Sequence, residues 1–411
     1  MTRRFPLSLG GRSNRWARLL AALGSGVALG LSATTATAEP LYPWPDPDPF
    51  YSAPTDLAAH QPGDVLNARP LPPLPVFPGA SVTLVQFRSS NSNGVPIAAT
   101  TTVVTPAGHR PDAPLLSYQH FINALGTGCA VSHLLYSGDT NLLATVPMLN
   151  AVLAQGWSVA LPDHLGPYFA LGAARLGGHI VLDGVRAVKR MPELAAQNSR
   201  VVLAGYSGGG LASGWAAALQ PTYAPELELA GAAVGGTPMN METMADVLGF
   251  EPHPAFGLAM AAAIGLEREY PNRLPVSTYL NERGHEIGNA MANSCTAEIL
   301  SIGTGGSARE FMNGDSIIDF DAARVILREN SLALYDGAPR TPVFEWHSPT
   351  DSLIPLDAID QTNRRWCAAG VPVQTLQVPP SDHLTGAVLG APEVLMWMEG
   401  RVRGEPAPST C

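Results

Sequence analysis

Ser207 lies in a segment whose residue types favour nucleophilic catalysis. Positions 205–210 read GYSGGG, after the β-rich run 201–204 and before the helix-forming run 211–216. Such a strand–turn–helix setting holds a serine in a cramped turn that exposes its hydroxyl, and the flanking glycines leave room for that turn. The N–H of Gly208, at the start of the predicted helix, points to where an oxyanion develops. A phosphate-binding loop is a poorer interpretation, because no Lys follows and the GxGxxG spacing is absent.

A serine nucleophile needs a base, and His383 is the best candidate for it. In proteins with this turn, the acid and then the histidine follow the serine along the chain. His383 comes after the last predicted strand, which is the topological position of the base. We expect surface or core roles for His253 and His285, and a local hydrogen bond for His347 at a strand end. The Asp-His pair at 163–164 is interpreted as structural.

The acid is expected to be Asp351, which follows a predicted strand by a few residues. From that position a carboxylate can accept the ring N–H of His383, fix its tautomer and stabilise the imidazolium. Asp357 and Asp360 compete for this role, but they fall on a predicted helix, where a solvated position explains them better. Asp382 is too close to the histidine along the chain to support it well.

The elements around these residues alternate between helix and strand. Alternation of this kind predicts crossover connections and a mostly parallel sheet. The stretch 236–340 breaks the pattern with helical, Met- and Ala-rich segments, so we expect a helical cap there and a core formed by 80–235 and 341–411. Strands are predicted at 81–88, 97–105, 114–119, 157–161, 200–204, 229–234, 342–346 and 371–378. Helices are predicted at 144–155, 176–195, 208–219, 241–248, 255–269, 317–335 and 393–401.

Proline dominates the stretch between the leader and the first predicted strand. Residues 40–78 hold 12 prolines, which fix φ and remove backbone donors, so neither helix nor sheet is expected there. The usual interpretation is a linker. Scattered aromatic residues, among them Trp44 and Phe50, favour instead an ordered arm over 39–79 that lies across the body.

Residues 1–38 have the organisation of a signal peptide. Five arginines precede the apolar run 19–33, and positions 36–38 read ATA, the small-x-small pattern of a cleavage site. A membrane anchor is the alternative, but the run is short of the ~20 residues that cross a bilayer and contains glycines. Arg3 and Arg4 also raise the question of a twin-arginine signal. We expect export, cleavage near Ala38 and a secreted mature chain.

Charge and composition exclude several classes of function. The chain is 46% hydrophobic and 14% charged, which excludes disorder for most of it. Its net charge is −10, and loss of the leader arginines makes the mature chain more acidic still. Such a chain does not bind nucleic acid or anionic lipid by electrostatics, so a neutral or apolar partner is expected.

The four cysteines favour disulfides over a metal site. Their number is even, the chain is predicted to be exported, and none of them forms a CxxC pair. Three pairings remain open from spacing alone. The cysteines are Cys129, Cys295, Cys367 and Cys411.

Several short motifs together resemble the secretory lipase family over residues 46–400. The resemblance implies an α/β-hydrolase fold with a mostly parallel eight-stranded sheet and a helical lid, acting on acylglycerols and other carboxylic esters. It implies no metal or organic cofactor. The motifs are DPFY at 48–51, PGDVL at 62–66, SYQ at 117–119, LPDH at 161–164, GYSGG at 205–209, YAPEL at 223–227, GGTP at 235–238 and HLT at 383–385.

The resemblance assigns the same catalytic residues as the local patterns. The family nucleophile falls on Ser207, its acid on Asp351 and its base on His383. Its second oxyanion residue falls on Asn123, where a member of the family has an aspartic acid. An asparagine amide donates without needing protonation, and either this amide or only the backbone N–H could serve with Gly208.

The resemblance also bears on the disulfides and the lid. Segment 254–261 resembles the family's acyl-contacting lid, although ordinary core packing explains any one of its residues equally well. Fewer residues follow the predicted base in this chain than in a known member of the family, so a more open acyl pocket is expected. The implied disulfides are Cys129 with Cys295 and, by what remains, Cys367 with Cys411.

The sequence therefore predicts a secreted, monomeric serine ester hydrolase of the triacylglycerol lipase type. It would form an acyl-enzyme on Ser207 and act at a lipid–water interface or on a small ester. A short-chain carboxylesterase or an acyltransferase would use the same triad. A catalytically silent lipid-binding protein is the alternative from another class, because fold alone does not fix function.

Overall fold

The computed structural model describes residues 39–313 and 321–411, so the predicted signal peptide lies outside the described residues. In this part of the chain, nine strands form one sheet in the order β1-β2-β3-β5-β4-β6-β7-β8-β9. The first three strands and β5 pair antiparallel, and the pairs from β5 to β9 are parallel. The strands are β1 Val65–Leu71, β2 Ser81–Ser90, β3 Pro96–Thr105, β4 Leu115–Gln119, β5 Ser158–Pro162, β6 Val201–Tyr206, β7 Leu229–Gly235, β8 Val343–His347 and β9 Val373–Gln377.

The sheet has nine strands where eight were expected, and the additional one corrects the prediction for the proline-rich arm. β1 lies inside the arm, which was predicted to contain no sheet, and pairs antiparallel with β2. It is the terminal strand of the sheet. An edge strand tolerates Pro70 because only one side of its backbone must contribute to the ladder. Proline content therefore excluded an interior strand but not an edge strand.

Twelve α-helices are present in the described ranges. Seven of them overlap the predicted helical segments, and Leu356–Ala368 is the helix expected around Asp357 and Asp360. No helix was predicted at Val131–Ser137, Glu282–Met291, Thr296–Gly303 or Ala308–Phe311. They are α1 Val131–Ser137, α2 Thr140–Ala154, α3 Ala174–Arg190, α4 Gly208–Tyr223, α5 Met241–Gly249, α6 Phe256–Glu269, α7 Glu282–Met291, α8 Thr296–Gly303, α9 Ala308–Phe311, α10 Asp321–Glu329, α11 Leu356–Ala368 and α12 His383–Arg403. None of them combines the length and apolar character that crossing a bilayer requires.

Helices cover both faces of the sheet, as its buried parallel strands require. One core contains side chains of α3, α4 and α11, and it continues into the helices α5–α10 that separate β7 from β8. The other core contains side chains of α1, α2 and α12. The strands β4, β5, β6 and β8 are buried along their whole length. The carboxyl ends of the parallel strands therefore meet at one edge, where α/β proteins place their sites.

The last helix begins earlier than its sequence indicates. It was predicted over 393–401 with His383 in a preceding loop, but α12 begins at His383 itself. Pro392 and two glycines obscure the helical pattern. A Cβ on Gly390 would collide with the indole of Trp346, and a Cβ on Gly386 would lie 2.9 Å from the Tyr206 hydroxyl. Close contacts with residues that are distant in the sequence thus require glycine at both positions.

The arm packs against the body through specific hydrogen bonds. Tyr51 donates to Ser132 Oγ at 2.9 Å, and the His133 ring nitrogen Nε2 lies 2.6 Å from a carboxylate oxygen of Asp46. The backbone N–H of Trp44 donates to the side chain of Asn293. From Glu39 onward the proline-rich stretch is thus an ordered part of the fold.

Both cysteine pairs implied by the family resemblance are bonded. Cys129 pairs with Cys295 across 166 residues, and Cys367 pairs with Cys411 across 44. The first bond joins the loop after β4 to the start of α8. The second ties the end of the chain to α11.

Candidate active site

Ser207 occupies the sharp turn between β6 and α4. Its φ of +56° and ψ of −124° lie outside the regions that a serine normally adopts. Its N–H donates to the carbonyl of Gly235 at 2.8 Å, and its carbonyl accepts from Leu211. The strained turn is thus held on both sides by backbone hydrogen bonds. Strain of this kind concentrates at functional sites, where the surrounding structure over-determines it.

The glycines beside Ser207 are required by close backbone contacts. A Cβ on Gly205 would collide with the carbonyl of Gly209, and one on Gly209 would collide with the carbonyl of Gln119. Ser213 reinforces the turn, since its hydroxyl oxygen lies 2.6 Å from Gln119 Oε1 and 2.9 Å from the Gly209 carbonyl, which share its one O–H donor. The turn therefore packs directly against the end of β4, the strand that leads to Asn123.

Asn123 and Gly208 lie together beside the serine. An ideal Cβ at Gly208 would sit 3.2 Å from Oδ1 of Asn123, so this amide reaches the first residue of α4. The N–H of Gly208 belongs to the first turn of a helix, where N–H groups have no intrahelical partner. The structure thus places Gly208 and Asn123, the two residues expected to donate to an oxyanion, along one cavity with Ser207.

His383 and Asp351 form a short buried pair. Nδ1 of His383 lies 2.6 Å from Oδ2 of Asp351, whose side chain is fully buried. The other carboxylate oxygen accepts the N–H groups of Leu353 and Ile354. Burial alone would raise the pKa of Asp351, but the hydrogen bond and charge of His383, with these N–H groups, hold it below its usual value. The carboxylate therefore stays ionised beside the ring.

The second ring nitrogen of His383 is free for chemistry. Nε2 is buried and has no hydrogen-bond partner among the described residues. The ring centroid lies 5.0 Å from that of Tyr206, the residue before Ser207. The Tyr206 hydroxyl donates to the backbone carbonyl of His383 at 2.6 Å. This bond fixes the start of α12 against the strand that carries the serine.

The competing acids have other positions and partners. Asp382 is the N-cap of α12 and accepts hydrogen bonds from the N–H groups of Leu384 and Thr385. Asp357 and Asp360 lie on α11, as expected. The structure therefore pairs His383 with Asp351 and uses Asp382 to begin the helix.

The remaining histidines make local structural contacts. His347 ends β8 and pairs with Glu345 at 2.9 Å in the core. Burial alone would lower the pKa of His347, but the hydrogen bond and charge of Glu345 raise it. His253 accepts the N–H of Ala255 just before α6 begins, and His285 is half-buried on α7.

The pair at 163–164 is buried among core polar groups. Asp163 accepts hydrogen bonds from the hydroxyls of Thr100 and Ser132, and its burial raises its pKa against the effect of these bonds. His164 bonds the carbonyl of His120 through Nε2, at 2.9 Å. The structure thus gives both members of the pair structural partners.

A large apolar cavity opens onto Ser207. Its empty volume is about 1220 Å³ with the open mouth included, and no charged residue is among its described lining residues. Most of the wall comes from α5, α6, α9 and α10. In segment 254–261, which resembles the family's lid, Phe256, Leu258, Ala259 and Met260 face the cavity. A chamber of this size and composition fits a hydrocarbon chain better than a polar ligand. In residues 39–313 and 321–411, no cluster of His, Cys, Asp or Glu is arranged to hold a metal ion.

Comparison with known proteins agrees with this geometry. The model of the secretory lipase family matches residues 140–410. The chain belongs to the secretory lipase family. Among its relatives, Lipase 6 of Candida albicans is 33% identical over 389 residues, which cover 89% of this chain and 83% of that protein. The secreted triacylglycerol lipase LIP2 of Malassezia furfur is 30% identical over 386 residues, covering 90% and 82%. The chain is an ester-hydrolysing lipase with an α/β fold.

Solved structures agree with this assignment. The closed state of Candida antarctica lipase A has a TM-score of 0.82 to this chain at 26% identity, covering 92% of this chain and 91% of that one. The cell wall degrading esterase LipA of Xanthomonas oryzae shares the fold, with a TM-score of 0.65 at 17% identity, covering 83% and 96%. The secretory lipase fold is therefore shared over most of this chain.

The lipase also contains a residue that sequence reasoning missed. Arg268, in the last turn of α6, is an almost fully buried cation, and its burial lowers its pKa to about 10. In sequence it reads as an ordinary surface arginine on an amphipathic helix, so no local signal pointed to it. Its guanidinium donates to five backbone carbonyls, those of Leu41, Leu125, Tyr168, Phe169 and Ala292.

Proposed function

We propose that the lipase hydrolyses its esters through an acyl-enzyme on Ser207. Ser207 Oγ attacks the ester carbonyl and passes its proton to Nε2 of His383, while Asp351 holds Nδ1–H and stabilises the imidazolium. The tetrahedral oxyanion accepts hydrogen bonds from the N–H of Gly208 and the amide of Asn123. His383 then protonates the leaving alcohol.

The second half of the reaction repeats these roles with water. His383 takes a proton from the water, which attacks the acyl carbonyl, and the proton returns to Ser207 Oγ as the carboxylic acid leaves. The free Nε2 of His383 and the short Nδ1 bond to Asp351 support this assignment. Apart from the ester and water, all the groups used in the two half-reactions belong to the chain.

The preferred substrates are esters of long-chain fatty acids, including triacylglycerols. One observation carries this proposal: Ser207 and its two oxyanion donors line a cavity that is otherwise apolar. Burying a hydrocarbon there contributes about 0.8 kcal/mol per CH₂ group. The Malassezia furfur relative, named a triacylglycerol lipase, supports the same substrate class.

The helices between β7 and β8 form the lid of this cavity, and the chain is exported. Residues 236–340 are its cap, 39–79 its arm, and 80–235 with 341–411 its core. The leader is removed near Ala38, and the mature lipase works as a monomer. Two disulfides among the described residues support an oxidising compartment.

The test compares initial rates on p-nitrophenyl esters from acetate to palmitate for the wild type and Ser207→Ala. We expect the rate to peak on long chains and kcat to fall by roughly 10⁴- to 10⁶-fold in the variant. Ser137→Ala, at an exposed serine ending α1, is the matched control and should keep the full rate. A peak at acetate or butyrate would indicate the carboxylesterase instead. Turnover that survives Ser207→Ala would overturn the mechanism.

A further inference from the structure

Helix α2 and the first half of its neighbour α12, which begins at the catalytic histidine, carry no charged side chain apart from that histidine. α2 contains no Asp, Glu, Lys or Arg, and neither does the segment 383–392 of α12. The whole chain has a net charge of −10. Surface helices of soluble proteins normally present charged residues to water. A long uncharged surface on an acidic protein therefore needs an explanation.

The same helices expose large apolar side chains. Leu143 on α2 is 42% exposed, and on α12 Leu384 is 50% and Val388 61% exposed. Leu384 and Val388 are one turn apart and share a face of α12. We call these three side chains the apolar rim. The two helices are in contact with each other, and exposed apolar side chains grouped in this way mark a contact with a protein or a lipid.

An apolar groove lies between the two helices. Its empty volume is about 1140 Å³, open solvent included, and no charged residue lines it. Tyr118, Tyr206 and Trp346 contribute aromatic side chains to its lining. Leu384 also lines the groove and directly follows His383, while Tyr206 directly precedes Ser207. The groove is thus lined by residues that are next to catalytic residues in the chain, on α12 and at the end of β6.

The charges around the groove select against an anionic partner. Acidic residues flank the uncharged segments, with Asp139 capping α2 and Asp382 capping α12, and Glu393 follows further along α12. No Lys or Arg occurs on α2 or on α12 before Arg401. Anionic lipid recognition uses clusters of Lys and Arg beside the apolar surface. An uncharged protein surface with acidic flanks therefore fits a neutral partner surface better than an anionic one.

We propose that the α2/α12 groove and its apolar rim rest on an electrically neutral lipid surface. This assignment rests on the proposed function, because an enzyme that hydrolyses water-insoluble esters works at the surface that its substrate forms. Rim side chains of this type insert into the boundary between headgroups and acyl chains. A protein partner is less well served, since the groove offers no charged group to fix its orientation.

The experiment measures adsorption to triolein droplets coated with phosphatidylcholine, by flotation. All proteins carry Ser207→Ala so that the surface stays intact. Adding Val388→Glu and Leu143→Glu should weaken partitioning by on the order of tenfold per side chain, because full burial of a Leu or Val contributes about that factor. Val95→Glu is the matched control at an exposed valine, 55% accessible, outside the groove, and should adsorb normally. Replacing half of the phosphatidylcholine with phosphatidylglycerol should weaken adsorption of the parent.

A second assay separates this inference from the proposed function. With Ser207 restored, Val388→Glu should hydrolyse dissolved p-nitrophenyl butyrate at the wild-type rate, because Val388 is not among the residues that line the catalytic cavity. A wild-type rate also shows that the variant is folded. If Val388→Glu does not reach this rate, Val388→Ser replaces it in both assays. Equal adsorption of rim variants and parent would overturn the inference while leaving the function intact. So would a wild-type dimer that Val388→Glu dissociates. Absent butyrate hydrolysis by the wild type would contradict the function instead.

Discussion

Asp351 and Asp382 are both close to His383, yet their carboxylates bind different partners and have different roles. Asp382 accepts backbone N–H groups at the start of α12, which satisfies donors that the helix leaves open. Asp351 is buried, and its two oxygens are shared between His383 and a backbone turn. A carboxylate held ionised in this way stabilises the imidazolium without taking its proton. Position relative to the ring, and not distance along the chain, decides the acid.

Asn123 provides a prediction at the residue scale. If its amide donates to the oxyanion, Asn123→Ala should lower kcat by about 10²- to 10³-fold with little change in KM. In Asn123→Asp the side chain donates only when protonated, so the ratio of its rate to the wild-type rate should rise as the pH falls towards the carboxyl pKa. The measurement is a pH–rate profile on p-nitrophenyl butyrate for the three proteins.

The two variants also distinguish the donors. Unchanged kcat in Asn123→Ala would assign the oxyanion contact to backbone N–H groups alone. A pH profile of Asn123→Asp that parallels the wild type would lead to the same conclusion. Thermal unfolding of both variants provides the control for folding.

Arg268 connects elements that must keep their places around the site. It joins α6, whose residues line the acyl cavity, to the carbonyl of Leu125 in the loop that carries Asn123. A further bond reaches Ala292, just after α7. All five of these hydrogen-bond acceptors are backbone carbonyls, so its planar fork of donors matters more than its charge. We infer that Arg268 positions the oxyanion loop against the cap.

Replacement of Arg268 tests this positioning role. Arg268→Met should cost roughly 3–5 kcal/mol in the free energy of unfolding, because buried carbonyls lose their donors. At a temperature where the variant is folded, kcat should still fall while KM changes less, and Arg268→Lys should recover part of kcat. Arg273→Lys, at an exposed ion pair with Glu329, is the control and should cost under about 1 kcal/mol. Full kcat in folded Arg268→Met would leave Arg268 a purely structural residue.

The elements that sequence reasoning identified are those encoded locally. The turn at Ser207 was predictable because its strand, glycines and helix are consecutive. β1 was missed because its pairing with β2, and not its own composition, makes it a strand. The early start of α12 was missed because Gly386 and Gly390 are required by close contacts with Tyr206 and Trp346, which lie on other elements. Asn123 needed the family resemblance, since no local pattern identifies a loop asparagine as a donor.

At the scale of the whole molecule, burial keeps several histidines neutral. His120 and His164 follow β4 and β5, where burial lowers the pKa of His120 to about 3 and that of His164 to about 4. On α3, burial likewise lowers the pKa of His179 to about 4. Buried carboxyls act in the opposite direction, since burial raises the pKa of Asp163 and of Glu345. These two sets of groups therefore contribute to the pH dependence of stability with opposite signs.

The histidine contribution can be isolated with one variant. Between pH 6.5 and 4 the unfolded chain protonates His164 while the folded chain does not, so the free energy of unfolding falls as the pH decreases. For a pKa near 4 against about 6.5 unfolded, this loss is about 2 kcal/mol at pH 5. His164→Gln retains a donor for the carbonyl of His120 but cannot titrate. Its urea-unfolding free energy should therefore fall by about 2 kcal/mol less than that of the wild type between pH 7 and pH 5. Between pH 7 and 8 the unfolding free energies of the wild type and His164→Gln should change in parallel. If they also change in parallel down to pH 5, His164 has the same pKa in the folded and unfolded chains, and the prediction is wrong.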